Sequence, residues 1–103
     1  MPTPPLKRMA EIAQILCDPT RVALIRSLAK KGPQHVGALA KAINSRPAHA
    51  CHHLRLMLHA RLVSTRRDRR YVIYSLAHPD LADLLKLLEE IADARHSDDR
   101  DGS

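Results

Sequence analysis

Phenylalanine and tryptophan are absent from this chain of 103 residues, and Tyr71 and Tyr74 are its only tyrosines. Its 45% of apolar residues must therefore build a core from Leu, Ile, Val, Ala and Met, which suits helices packed on helices better than a sheet sandwich. Cysteine is almost as scarce. Cys17 and Cys51 are far apart and form neither a disulfide framework nor a zinc-ligand spacing, which fits a reduced, cytoplasmic setting. No apolar run approaches the roughly 18 residues that cross a bilayer. The opening "MPTPPLKRM" lacks the apolar stretch of a signal peptide, so no membrane partner is expected. There is no Gly-rich phosphate loop, no nucleophile elbow and no carboxylate pair placed for a cleft, so no enzyme is expected.

What the chain has in excess is positive charge. Lys and Arg number 17 against 11 Asp and Glu, a net +6, which points to a polyanionic partner, most often nucleic acid. The length allows one domain. Residues 1–5 hold three prolines and are expected to be disordered. From Leu6 the apolar residues Met9, Ile12, Ala13, Ile15 and Leu16 recur at helical spacing. In "CDPTRVALIRSLAKKGP", Asp18 reads as an N-cap, Pro19 as the first helical residue and Gly32-Pro33 as the stop, with Val22, Ile25, Leu28 and Ala29 facing inwards. "VGALAKAINS" gives a short helix from Gly37 to Ile43. A turn of about four residues then leads into a helix from Pro47 to His59 or Ala60, the helix-turn-helix signature.

Beyond that helix the period changes. "RLVSTRR" and "RRYVIYSL" read as two short strands around Asp68, a basic β-hairpin or wing. "PDLADLLKLLEEIADA" is a strong closing helix with Leu81, Leu84, Leu85, Leu88 and Ile91 along one side. The expected fold is mainly α with a small β-hairpin wing: a winged helix-turn-helix domain over residues 6–95, followed by a disordered polar tail over 96–103. A homodimer through the first and last helices is expected, because both carry apolar faces wider than a monomer of this size needs.

The stretch "RPAHACHHLRLM" poses a choice between metal and DNA. On a helix, His49 shares a side with His52 and with His53, whereas Cys51 lies about 200° from His49 and cannot join them around one ion. Zinc takes about four ligands, so this helix falls short alone. Ala50, Leu54 and Met57 mark its buried side and His53 borders it, reading as a packed core histidine. Arg46, Ala48, His49, His52 and Arg55 face away, placed for major-groove contact with double-stranded DNA. On the wing, Arg66, Arg67, Arg69 and Arg70 surround one acid and are assigned to phosphate or minor-groove contact.

"ILCDPTRVALIRSLAKKG", "VGALAKAI", "CHHLRLMLHARLV" and "RRDRRYVIYSL", in this order from Leu6 to Leu88, resemble the ArsR/SmtB family of bacterial winged-helix repressors. The resemblance implies a homodimeric transcriptional regulator that binds operator DNA and is released by an inducer, often a metal ion; the alternative is a winged-helix protein-interaction module or a regulator that takes no ligand. Departures from the family pattern are equally specific. Cys51 replaces a usual serine, Cys17 stands in the D-P motif's approach, and Arg69 replaces a common wing glycine, so that turn must find its positive-φ residue elsewhere or do without. The family's zinc pattern on the last helix is broken, since His78 and Asp80 appear in swapped order and the second pair falls on Ile91 and Ala94. A shifted set, Asp80, Asp83, Asp93 and His96, would meet only across paired last helices, and its plainer reading is surface acids with a tail histidine. No cofactor is named by the sequence; a divalent metal ion is the one candidate. Cys51, beside Arg55, His52 and a helix N-terminus, is the candidate redox thiol, and Cys17 reads as a buried apolar filler.

Overall fold

Several helix ends in this chain fall where a particular residue satisfies the backbone groups that a helix leaves unpaired. The computed structural model describes residues 5–101, with side chains described for 5–94. In order these form α1 (Leu6–Ile15), α2 (Pro19–Lys31), β1 (Gln34–His35), α3 (Val36–Ala42), α4 (Pro47–His59), β2 (Val63–Asp68), β3 (Tyr71–Leu76) and α5 (Asp80–Asp101). Asp18 caps α2 as expected, its carboxylate accepting from the N–H groups of Thr20 at 2.8 Å and Arg21 at 3.2 Å. Burial opposes ionisation of that carboxylate. The two backbone hydrogen bonds and the nearby charges of His53 and Arg21 outweigh it and hold the group below the usual range. Gly32 ends α2 at φ 80, a left-handed conformation that glycine enters without strain.

α3 and α4 end alike without glycine. At the end of α3, Ser45 N–H donates to Ala40 O and Asn44 N–H to Lys41 O; at the end of α4, Leu62 N–H donates to Met57 O and Arg61 N–H to Leu58 O. These are Schellman closures, with Asn44 at φ 55 and Arg61 at φ 64 in the left-handed position. The first of them bends the chain sharply between α3 and α4 and so makes the helix-turn-helix. α3 is capped at its other end by a residue outside the usual set: His35 Nδ1 accepts from Gly37 N–H at 3.1 Å and Ala38 N–H at 3.3 Å.

Three antiparallel strands, in the order β1-β3-β2, replace the two expected. β1 is only Gln34–His35, pairing with Tyr74 and Ile73, too short to leave a period in the sequence. Its Gln34 amide donates to Ser27 O, Ser27 Oγ and Gly32 O, which fastens the sheet to the end of α2. The wing closes with Asp68 opposite Tyr71, so Arg69 and Arg70 alone form the loop. Arg69 itself takes the positive φ, at 58. That corrects the expectation that the turn would find such a residue elsewhere or do without one: the favoured two-residue hairpin loops need a positive φ at their first position, whichever residue stands there.

The core is aliphatic. Leu24, Ile25 and Leu28 of α2, Leu39 and Ala40 of α3, Ala50, Leu54 and Met57 of α4, Leu62, Val63 and Tyr74 of the wing's base, and Leu81 and Leu85 of α5 are buried together. Val22 and Ala29, expected on the inner face of α2, are half-buried, because that face centres on Leu24 and Leu28. Cys17 is exposed and its thiol donates to Gln14 O at 2.9 Å, not a buried filler as expected; it sits in the turn after α1, outside the helix's packed side. α5 is helical to Asp101, past the expected boundary at residue 95. Residues 1–4 and 102–103, where disorder was expected, lie outside the described residues.

Candidate nucleic-acid interface

α4 divides its residues cleanly by direction. Ala50, His53, Leu54 and Met57 are buried, spaced so that they share one side of a helix. Arg46, Ala48, His49, His52 and Arg55 are all exposed. Ala48, His52 and Arg55 follow the outward row, while His49 lies at its edge. There His49 lines an open recess of about 380 Å³ with Thr20, Asn44 and Ser45. Arg46 stands at the N-cap of α4 without a side-chain cap bond, and Pro47 has no N–H, so the first-turn amides of Ala48 and His49 face outwards, where an anion is favoured.

His53 is a core histidine. It is 8% exposed, and its buried Nδ1 has no hydrogen-bond partner among the described residues. The rings of His49 and His52 meet it edge-on at 4.6 Å and 5.5 Å. Burial lowers its pKa below the ordinary 6.5; the Asp18 carboxylate pulls the other way, and His49, Arg21 and His52 add to the lowering. Cys51 is half-buried on the opposite flank of α4 from His49. Its neighbour there is Tyr74, whose phenol is raised above 10.0 by burial first and by the charge of Cys51 second.

The wing stands beside this helix. Arg66, Arg67, Arg69 and Arg70 are exposed along β2 and its loop. Its loop end is braced by contacts that composition did not announce: His35 stacks on Tyr71 at 4.8 Å between ring centroids, and the Arg70 guanidinium lies 5.3 Å from the centroid of the same ring. Histidine is not a usual N-cap, so the double role of His35 left no pattern to read. The recess around His49 was also missed, because it joins the start of α2 to the α3–α4 turn across long sequence distances.

Metal chemistry finds less support within one chain. Among the described residues, no three of His, Cys, Asp and Glu lie close enough together to hold an ion. Asp80 and Asp83 occupy the first turn of α5, and Asp93 is ten residues further along, about 15 Å at 1.5 Å per residue. His96 lies outside the described side chains. Among the described residues, no helix is long and apolar enough to cross a membrane.

Comparison with known proteins agrees with this geometry. Residues 18–65 match the family model described as bacterial regulatory protein, arsR family. A transcriptional repressor SmtB homologue from Synechocystis is 37% identical over 84% of this chain and 63% of its own length. An HTH-type transcriptional regulator from Bacillus subtilis is 34% identical over 82% of this chain. The chain spans only 37% of that regulator's length. Among solved structures, a homodimeric winged helix-turn-helix DNA-binding domain from Mycobacterium bovis, a possible ArsR-family regulator, is similar with a TM-score of 0.79. It is 28% identical, over 90% of this chain and 84% of that one.

Proposed function

Because the chain belongs to the ArsR family of bacterial regulatory proteins, we propose that it is a homodimeric, sequence-specific DNA-binding transcriptional regulator, a repressor released by an inducer. The observation that carries this reading is the outward row of α4, Arg46, Ala48, His49, His52 and Arg55, standing beside four exposed wing arginines. α4 enters the major groove and reads base edges through Arg46, His52 and Arg55. The wing lies on the backbone or in the minor groove and contributes affinity without sequence choice. Two copies joined through α1 and α5 read two half-sites. The family is one of DNA-binding regulators, not of enzymes.

The inducer is either a thiol-reactive signal at Cys51 or a divalent metal at Asp80, Asp83, Asp93 and His96 brought together by two last helices. The thiol is favoured by its place: Cys51 is half-buried on α4 beside exposed His52 and Arg55, so an oxygen added to its sulfur by peroxide would disturb the row that faces DNA. The test is a gel-shift titration on DNA upstream of the protein's own coding region, repeated with a panel of divalent metals and with peroxide. A specific shift is expected, lost on oxidation in the wild type and retained in Cys51→Ser. Equal oxidant sensitivity in Cys51→Ser would remove the thiol switch, with exposed Cys17 as the next thiol to replace. Binding indifferent to sequence would remove the regulator reading.

A further inference from the structure

Charge is divided unevenly along this chain. Residues 1–79 hold fourteen Lys or Arg against three Asp or Glu, and residues 80–103 hold three against eight, a net +11 and −5 that make up the total of +6. The recognition helix and the wing use only part of that surplus. Arg26, Lys30 and Lys31 of α2 are exposed and line an open cleft of about 240 Å³ together with Ala23 and, at the end of α3, Ala42 and Ile43. Arg26 and Lys30 also border a second cleft of about 230 Å³ against α5, where Lys86 adds a further cation. Among the described residues they make one ion pair, Arg26 Nε to Glu89 Oε1 at 3.7 Å, between side chains that are both about half exposed, and such a pair contributes little.

Their surface is continuous with the proposed reading head. The recess holding His49, Thr20 and Ser45 shares Ala23 and Ile43 with the first cleft. From Thr20 to Lys30 the ridge runs about 15 Å along the helix at 1.5 Å per residue, the length of roughly four to five base pairs at 3.4 Å each. Arg26 and Lys30 are four residues apart and so lie on one side. The small side chains of Ala23 and Ala42 in the lining leave room for a sugar-phosphate chain to approach. Neither cleft is lined by an aromatic side chain of the kind that anchors protein–protein affinity.

From this continuity and charge we infer that the α2 ridge of Arg26, Lys30 and Lys31 binds the phosphate backbone of duplex DNA flanking the site that α4 reads, drawing the operator round the side of the protein. This rests on the DNA-binding reading above and extends its footprint. No base is read there, so flanking DNA contributes affinity and, through its ease of bending, a preference at positions no side chain touches.

Two duplexes test it with the full-length protein: one trimmed to the footprint found upstream of its own coding region, and one carrying six further base pairs on each side. The wild type is expected to bind the longer duplex more tightly. Its plot of log affinity against log salt should be steeper by about 2 or more, at roughly 0.9 per neutralised phosphate. Arg26→Gln/Lys30→Gln/Lys31→Gln should lose that increment while binding the short duplex as the wild type does. Equal affinity and slope on both duplexes in the wild type would overturn the inference, and it is the result a ridge built for an acidic protein would give. An increment that survives in the variant overturns it too. Failure on both duplexes would instead remove the DNA reading itself.

Discussion

At His53 a side chain from a histidine-rich stretch is folded into the core, and acid should expose the consequence. Its folded pKa is lowered, chiefly by burial, so the folded state favours the neutral ring. The stability this gives is complete above the unfolded value of about 6.5 and is lost as pH falls below it. Thermal unfolding should therefore show a melting temperature that drops between pH 7 and 5, and His53→Leu should flatten that drop. Equal slopes in wild type and variant would show that another group titrates. A second residue-scale effect concerns φ. Arg61 at φ 64 and Arg69 at φ 58 pay a steric cost that glycine avoids. Arg61→Gly should stabilise the protein by about 1 kcal/mol with DNA affinity nearly unchanged. Arg69→Gly should stabilise similarly while reducing the salt slope by about 1, because it removes a wing cation. Denaturant titration checks the first effect and binding at several salt concentrations the second.

The elements α4 and the β2–β3 wing have distinct tasks. Residues on the outward row of α4 should set which sequence is bound. Arg46→Ala or His52→Ala should cost about 1–3 kcal/mol on the best site and relax base preference. The pair Arg66→Gln/Arg67→Gln should weaken all duplexes alike and flatten the salt slope by roughly 2. Binding measured against a panel of single-base variants separates the two; a change of base preference from the wing pair alone would reverse the assignment. The buried row of the same helix answers to packing. Leu54 is 0% exposed and anchors α4 against the core, so Leu54→Ala should destabilise by about 2–5 kcal/mol.

For the whole molecule, the faces of α1 and α5 are out of balance with a monomer. Leu6 is 77% exposed, Met9 52%, Leu87 55% and Ile91 65%, and none of α1 is fully buried. Apolar area of this extent on two neighbouring helices is stabilised by covering it. A second copy also sets the distance between two recognition helices. Sedimentation should find a dimer at micromolar concentration. Leu88→Glu should give monomers whose operator binding is much weaker, since each then reads one half-site. A wild-type monomer with full operator affinity would reject this assembly.

Sequence alone determined the helical class, the start and stop of α2, the helix-turn-helix and the basic hairpin. In each the signal is local: Asp18 and Pro19 cap α2 within three residues, and Tyr71 to Tyr74 alternate within four. It also sorted α4 by helical period into a buried row with Ala50, Leu54 and Met57 and an outward row with His52 and Arg55. Only the tertiary structure decided what depended on contacts distant in sequence. β1 exists because β3 is there to pair with Gln34–His35. His35 both caps α3 and stacks on Tyr71. Cys17 is exposed because the α1–α2 turn faces outwards, and Arg69 takes a positive φ because Asp68 and Tyr71 pair across a loop of two. Likewise the ridge on α2 joins the recess at His49 only because the end of α3 packs against Ala23, a juxtaposition that no local period encodes.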